Sequence, residues 1–196
     1  MRGNSVRSGG LLALLAATLL VGGTPAATAA PAAKPVAKPV AAGIKGWARM
    51  AWPEAGNDIQ VTVNAQALFD RDQPFNPASS RGTFRISHRY TGPKGPAWFN
   101  WGDFKVDCVR VGGPVATVTG TLTDAGPFWK KFLHWQGGKP IRMGVSFYVA
   151  GKHSGPSRIG LSGATGKDEP PLTKCMAPAP DSAVVKGGYR IRDDRR

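Results

Sequence analysis

The sequence predicts an all-β domain: a single antiparallel β-sandwich or barrel of about seven strands, one short helix and a disordered N-terminal arm. Three observations carry that expectation. Short β-prone runs of alternating polarity recur between turn clusters. Glycine and proline number 26 and 17 among 196 residues, too many for a helical bundle or coiled coil. Hydrophobic residues still make up 41%, too many for a disordered polyelectrolyte.

The chain opens with Arg2 and Arg7, an apolar run over residues 11–21, and then Gly22, Gly23, Thr24, Pro25 and small residues. Positive charge, a short greasy core and a small-residue end describe a secretory signal peptide. The apolar run falls well short of the ~20 residues a membrane-spanning helix needs. Ala27-Thr28-Ala29 supplies the A-x-A pattern, so residues 1–29 are expected to be cleaved after Ala29 and the mature protein to be secreted. Residues 30–46 hold Pro31, Pro35 and Pro39 with Lys34 and Lys38 among small residues. That composition builds no core and reads as an Ala/Lys/Pro linker, extended and disordered. The globular domain is expected over residues 47–196.

Within it, residues 58–65 alternate Ile59, Val61 and Val63 against Gln60, Thr62 and Asn64. Residues 83–90 put Phe84, Ile86, His88 and Tyr90 on one face, and residues 98–111 put Phe104, Val106 and Cys108 on one face. Gly112-Gly113-Pro114 predicts a tight reversal into a strand over 115–122. Residues 141–150, 158–162 and 188–192 complete the set. Only residues 127–136 look helical. At 100° per residue, Phe128, Trp129, Phe132, Leu133 and Trp135 share a face there, opposite Lys130 and His134.

Two cysteines in an exported chain permit one connectivity, so Cys108 and Cys175 are expected to pair. The bridge would close a loop of 66 residues and tie the Pro-rich segment over 167–180 to the sheet, at a stabilisation of about 4 kcal/mol in the chain-entropy model.

The runs Val106-Asp107-Cys108-Val109-Arg110-Val111-Gly112-Gly113, Ala116-Thr117-Val118-Thr119-Gly120 and Gly144-Val145-Ser146-Phe147-Tyr148-Val149 come together with Cys175-Met176-Ala177-Pro178-Ala179-Pro180 and Lys186-Gly187-Gly188-Tyr189-Arg190-Ile191-Arg192. This combination resembles a group of small secreted proteins of unknown function from high-GC Gram-positive bacteria, some labelled repetin-like. The resemblance covers roughly residues 83–192. It implies a β fold and a disulfide and supplies no catalytic residue. Members often carry an acidic, turn-rich segment where this chain has Ala150-Gly151-Lys152-His153-Ser154-Gly155, which holds no acid.

Motifs for chemistry are missing. The three histidines are isolated, and no H-x-H, H-E-x-x-H or Cys/His cluster gives zinc-ligand spacing. No metal or other cofactor is expected. Gly160-Leu161-Ser162-Gly163-Ala164 fails the nucleophile elbow at Ala164, and no phosphate loop is complete before Lys167-Asp168. Asp103 and Asp107 share a strand face roughly 13 Å apart, too far for a glycosidase pair. Asp70 and Asp72 read as a solvated turn. No catalytic residue is assigned.

The positive feature is charge. The chain carries 26 Lys+Arg against 12 Asp+Glu, a net charge of +14. No acid occurs from residue 125 to 166, where Lys130, Lys131, Lys139, Arg142, Lys152 and Arg158 lie. Cations concentrate polyanions and tryptophan faces offer stacking platforms. Trp98, Trp101, Trp129, Lys130, Lys131, Trp135, Lys139 and Arg142 are therefore the candidate ligand-binding residues. The helix that bears half of them either caps the β core with its lysines merely solvated, or faces an anionic partner, or meets a membrane interface. The reading is a non-catalytic extracellular binding or surface-interaction domain biased toward an anionic cell-wall polymer, an acidic glycan or a membrane surface. Sequence-specific nucleic-acid binding is not expected. Two alternatives stand beside it: a secreted hydrolase with a site assembled by the fold near His88, and an extracellular protease inhibitor.

Overall fold

A computed structural model describes residues 38–135, 139–164, 169–170 and 172–195, without the side chain of Trp135. The expected signal peptide, the arm up to residue 37, Gln136 and Lys167 lie outside the described residues. The remainder forms β1 (Val40–Met50), β2 (Asn57–Phe69), β3 (Ser79–Tyr90), β4 (Trp98–Gly112), β5 (Val115–Ala125), α1 (Pro127–Trp135), β6 (Arg142–Tyr148), β7 (Arg158–Leu161) and β8 (Ser182–Asp193). Each strand pairs antiparallel with the next, and β1 pairs with β8, so the sheet closes into an eight-stranded barrel. The all-β expectation holds, and of its two alternatives, sandwich and barrel, the sheet forms the barrel.

Strict alternation places the core. In β2, Ile59, Val61, Val63, Ala65, Ala67 and Phe69 point inward and are at most 3% exposed. Phe84 and Phe104, register partners on β3 and β4, stack inside the barrel with ring centroids 4.6 Å apart. Tyr189 of β8 meets the ring of Phe147 edge-on at 4.7 Å, and its hydroxyl donates to the Val61 carbonyl at 2.9 Å. Burial pushes its phenol well above the ordinary tyrosine range. The reversal at residues 112–114 lies where the sequence puts it, with Gly113 at φ 61°.

Three expectations are corrected. Residues 40–46, assigned by composition to the disordered linker, form the first half of β1, so the strands number eight where about seven were expected. Their small side chains answer a packing need. Gly46 pairs with Tyr189, and a Cβ there would run into the Gly188 carbonyl and the Tyr189 ring. Second, Cys108 does not share a face with Phe104 and Val106. A bulge between Val106 and Cys108 shifts the register, turning Val109 inward and Cys108 outward opposite Thr119. Third, Phe128 leaves the apolar face of α1 and is 69% exposed, while Trp129, Phe132 and Leu133 pack on the core.

The outward Cys108 bonds to Cys175, as the sequence predicts. Residues 172–180 form a strap over the outer faces of β4 to β7. Thr119 accepts from the Cys175 amide at 3.1 Å and donates to Asp107 at 2.6 Å. Arg142 donates to Asp107 at 2.8 Å and to the Leu172 carbonyl at 3.0 Å, and Ser146 donates to the Pro178 carbonyl. Cys175 itself adopts φ 62°, a left-handed backbone fixed by these bonds.

At the end of the barrel where β8 finishes, Arg195 lies 4.1 Å over the ring of Phe69. It pairs with Asp193 at 2.7 Å and donates to the Pro74 and Val111 carbonyls. This cluster covers the inward-facing Phe69 at that end.

A candidate binding cavity at the open end of the barrel

The opposite end is open. The last turn of β1, the first of β2, the end of β3, the start of β4, α1, the start of β6 and the end of β7 all meet there around a cavity of about 880 Å³. Met50, Ile59, Ile86 and Met143 form its inner wall, and Trp52, Trp98, Phe99, Phe128 and Trp129 form its mouth. Four of these aromatic side chains stay in contact with solvent: Trp52 at 44%, Trp98 at 44%, Phe99 at 50% and Phe128 at 69%. These rings stay exposed although burial would stabilise each by about 2 kcal/mol, and contiguous apolar patches are uncommon on the surface of monomeric proteins.

Five polar side chains among the described residues interrupt the apolar lining: His88, Asn100, Ser162, Asp181 and Ser182. His88, on the inward face of β3, brings Nε2 to 2.6 Å from Asn57 Oδ1 and lies edge-on to Trp98 at 4.5 Å. Burial lowers its pKa from the ordinary histidine value, against an upward pull from Asp58. Its hydrogen-bond partner is an amide and not a carboxylate. Asn100 is only 5% exposed, and its Oδ1 has no hydrogen-bond partner. Among the described residues Asp181 contributes the one carboxylate in the lining, and no lysine or arginine contributes. Among the described residues no group of three or more His, Cys, Asp or Glu could hold a metal ion.

The residues singled out by charge and aromaticity are scattered. Trp98 and Trp129 reach the cavity. Trp101, one position out of phase with Trp98 and Asn100, sits on the outer surface under the Arg85 guanidinium at 4.6 Å. Arg85 in turn grips Asp103 through two bonds of 2.6 Å. Arg142 is spent on Asp107 beneath the strap, 24% exposed. Lys130 pairs with Asp124 at 3.4 Å, whereas Lys131 and Lys139 are exposed. The stretch free of acids in sequence is thus not free of them in space, because the barrel carries Asp107 and Asp124 up to it. Trp135 ends α1, its side chain outside the described residues.

Sequence reasoning missed Trp52, Asn57, Asn100 and Asp181. The alternation Trp98, Asn100, Gly102, Phe104 already put Asn100 on the inward face, and that was the signal available. No protein family, curated protein or solved structure matches the chain. No helix among the described residues is long and apolar enough to cross a membrane.

Proposed function

We propose that this chain is a non-catalytic extracellular binding domain whose ligand occupies the open end of the barrel. The observation that carries the reading is the cavity of about 880 Å³ with four solvent-exposed aromatic side chains at its mouth. Its size falls in the ~300–1,000 Å³ range of small-molecule sites, and an eight-stranded barrel is wide enough to hold one small ligand. The absence of a carboxylate on His88 favours binding over hydrolysis. Export is supported by the signal-like N-terminus and by the Cys108–Cys175 bridge, in keeping with the small secreted proteins the sequence resembles. The exposed lysines add a bias toward anionic partners on the outer surface, separate from the cavity.

The test is equilibrium titration with N-phenyl-1-naphthylamine, an uncharged fluorescent probe. The expected result is saturable binding at one site, lost when Ile86→Trp fills the inner wall while thermal unfolding shows the variant still folds. Absence of saturable binding, or binding indifferent to the filled cavity, refutes the reading.

A further inference from the structure

The polar groups of the cavity are few, and their protonation can be worked out. Asn57 Nδ2 donates to the Glu54 carbonyl at 3.2 Å, which orients the carboxamide so that Oδ1 faces His88 Nε2. An amide oxygen only accepts, so Nε2 carries the proton and donates. The neutral ring then offers Nδ1 as a lone-pair acceptor. Burial favours that neutral form against the pull of Asp58. Asn100 Oδ1 is enclosed beside Gly126 and not open to the cavity, and Asp181 adds a negative charge. Among the described residues no lysine or arginine lines this wall.

We propose that the cavity selects an uncharged, ring-bearing apolar molecule carrying a hydroxyl or N–H group, and that it discriminates against carboxylates and other anions. The inference rests on the binding reading above and specifies its ligand. A hydroxyl or N–H donor satisfies His88 Nδ1, while the ring body packs against Trp52, Trp98 and Phe128. An anion would leave water for a lining that holds the Asp181 carboxylate and, among the described residues, no lysine or arginine to receive it, and that desolvation is uncompensated. A site built around an unpaired acceptor also disfavours an analogue that lacks the donor, because His88 Nδ1 then stays unpaired. The basic exterior and the cation-free interior therefore address different molecules.

Displacement of N-phenyl-1-naphthylamine near neutral pH by 1-naphthol, 1-methylnaphthalene and 1-naphthoate separates the terms, since the three share one ring system. The expected order places 1-naphthol about tenfold ahead of 1-methylnaphthalene, one hydrogen bond's worth, and naphthoate last. His88→Phe should erase the advantage of naphthol over methylnaphthalene; His88→Leu serves if that variant does not fold. Naphthoate binding as well as naphthol, or methylnaphthalene matching naphthol on the native protein, overturns the proposal while leaving a binding cavity in place. Failure of the fluorescent probe itself to bind overturns both.

Discussion

His88 illustrates how the sequence can place a residue's face without showing its partners. The alternation with Phe84, Ile86 and Tyr90 puts it on the inward face, and the structure agrees. What no local pattern shows is that its neighbour across the sheet end is Asn57, or that Trp52 and Trp98 flank it at 6.3 and 4.5 Å. These are contacts between separate strands. Its burial has a consequence for stability. In the unfolded chain the imidazole titrates at its ordinary 6.5, and in the fold at a lower value. Well above 6.5 neither state holds the proton and His88 adds no pH dependence. Below it the unfolded chain takes up a proton that the folded protein resists, so stability falls with acidification until the folded pKa is passed. Thermal unfolding should therefore show a larger drop in Tm from about pH 7 to about pH 5 for the native protein than for His88→Gln. Equal drops would contradict the burial argument.

Among the elements, the strap over residues 172–180 carries the clearest sequence-to-packing logic. Gly144 and Gly160 lie in strands where a side chain would normally be preferred. A Cβ at Gly144 would collide with the Met176 carbonyl, and one at Gly160 with the Ala179 carbonyl, so these glycines let the strap lie flat on the sheet. Gly144→Ala should cost about 1–3 kcal/mol in urea denaturation through that overpacking. A change near zero would mean the strap is free to lift away. The tethering by Cys108 and Cys175 was readable from the cysteine count and the compartment, but the face of Cys108 was not, because a bulge leaves no mark in the alternation of Phe104, Val106 and Cys108. The strand β1 was hidden for a related reason. Gly43 and Gly46, which make room for Gln66 and Tyr189, look the same in composition as the Pro- and Lys-rich arm that precedes them. For α1, the period of 3.6 gave the right segment and mostly the right face. Phe128 departs because it projects at the mouth of the cavity, where no core exists to receive it.

At the scale of the molecule, closure is the property least visible in the sequence. It depends on β1 meeting β8, a pairing of residues such as Ile44 and Ile191 from opposite ends of the chain, and the cavity inherits that dependence because it is assembled from strand ends. The seam between β7 and β8 is the shortest in the barrel, with two residue pairs, Arg158 with Ala183 and Ile159 with Ser182. Net charge, by contrast, is fully legible. With +14 on the chain and Lys131, Lys139 and Lys152 exposed, the protein should be retained by an anionic polymer matrix at low salt and released by about 0.5 M salt, where screening is nearly complete. Retention indifferent to salt would remove the bias toward anionic partners. The cluster of Arg195 and Asp193 covers Phe69 at the base of the barrel. On the binding reading proposed above, a ligand would enter and leave past Trp98 and Phe128, and any exchange with a recipient would take place at that one face.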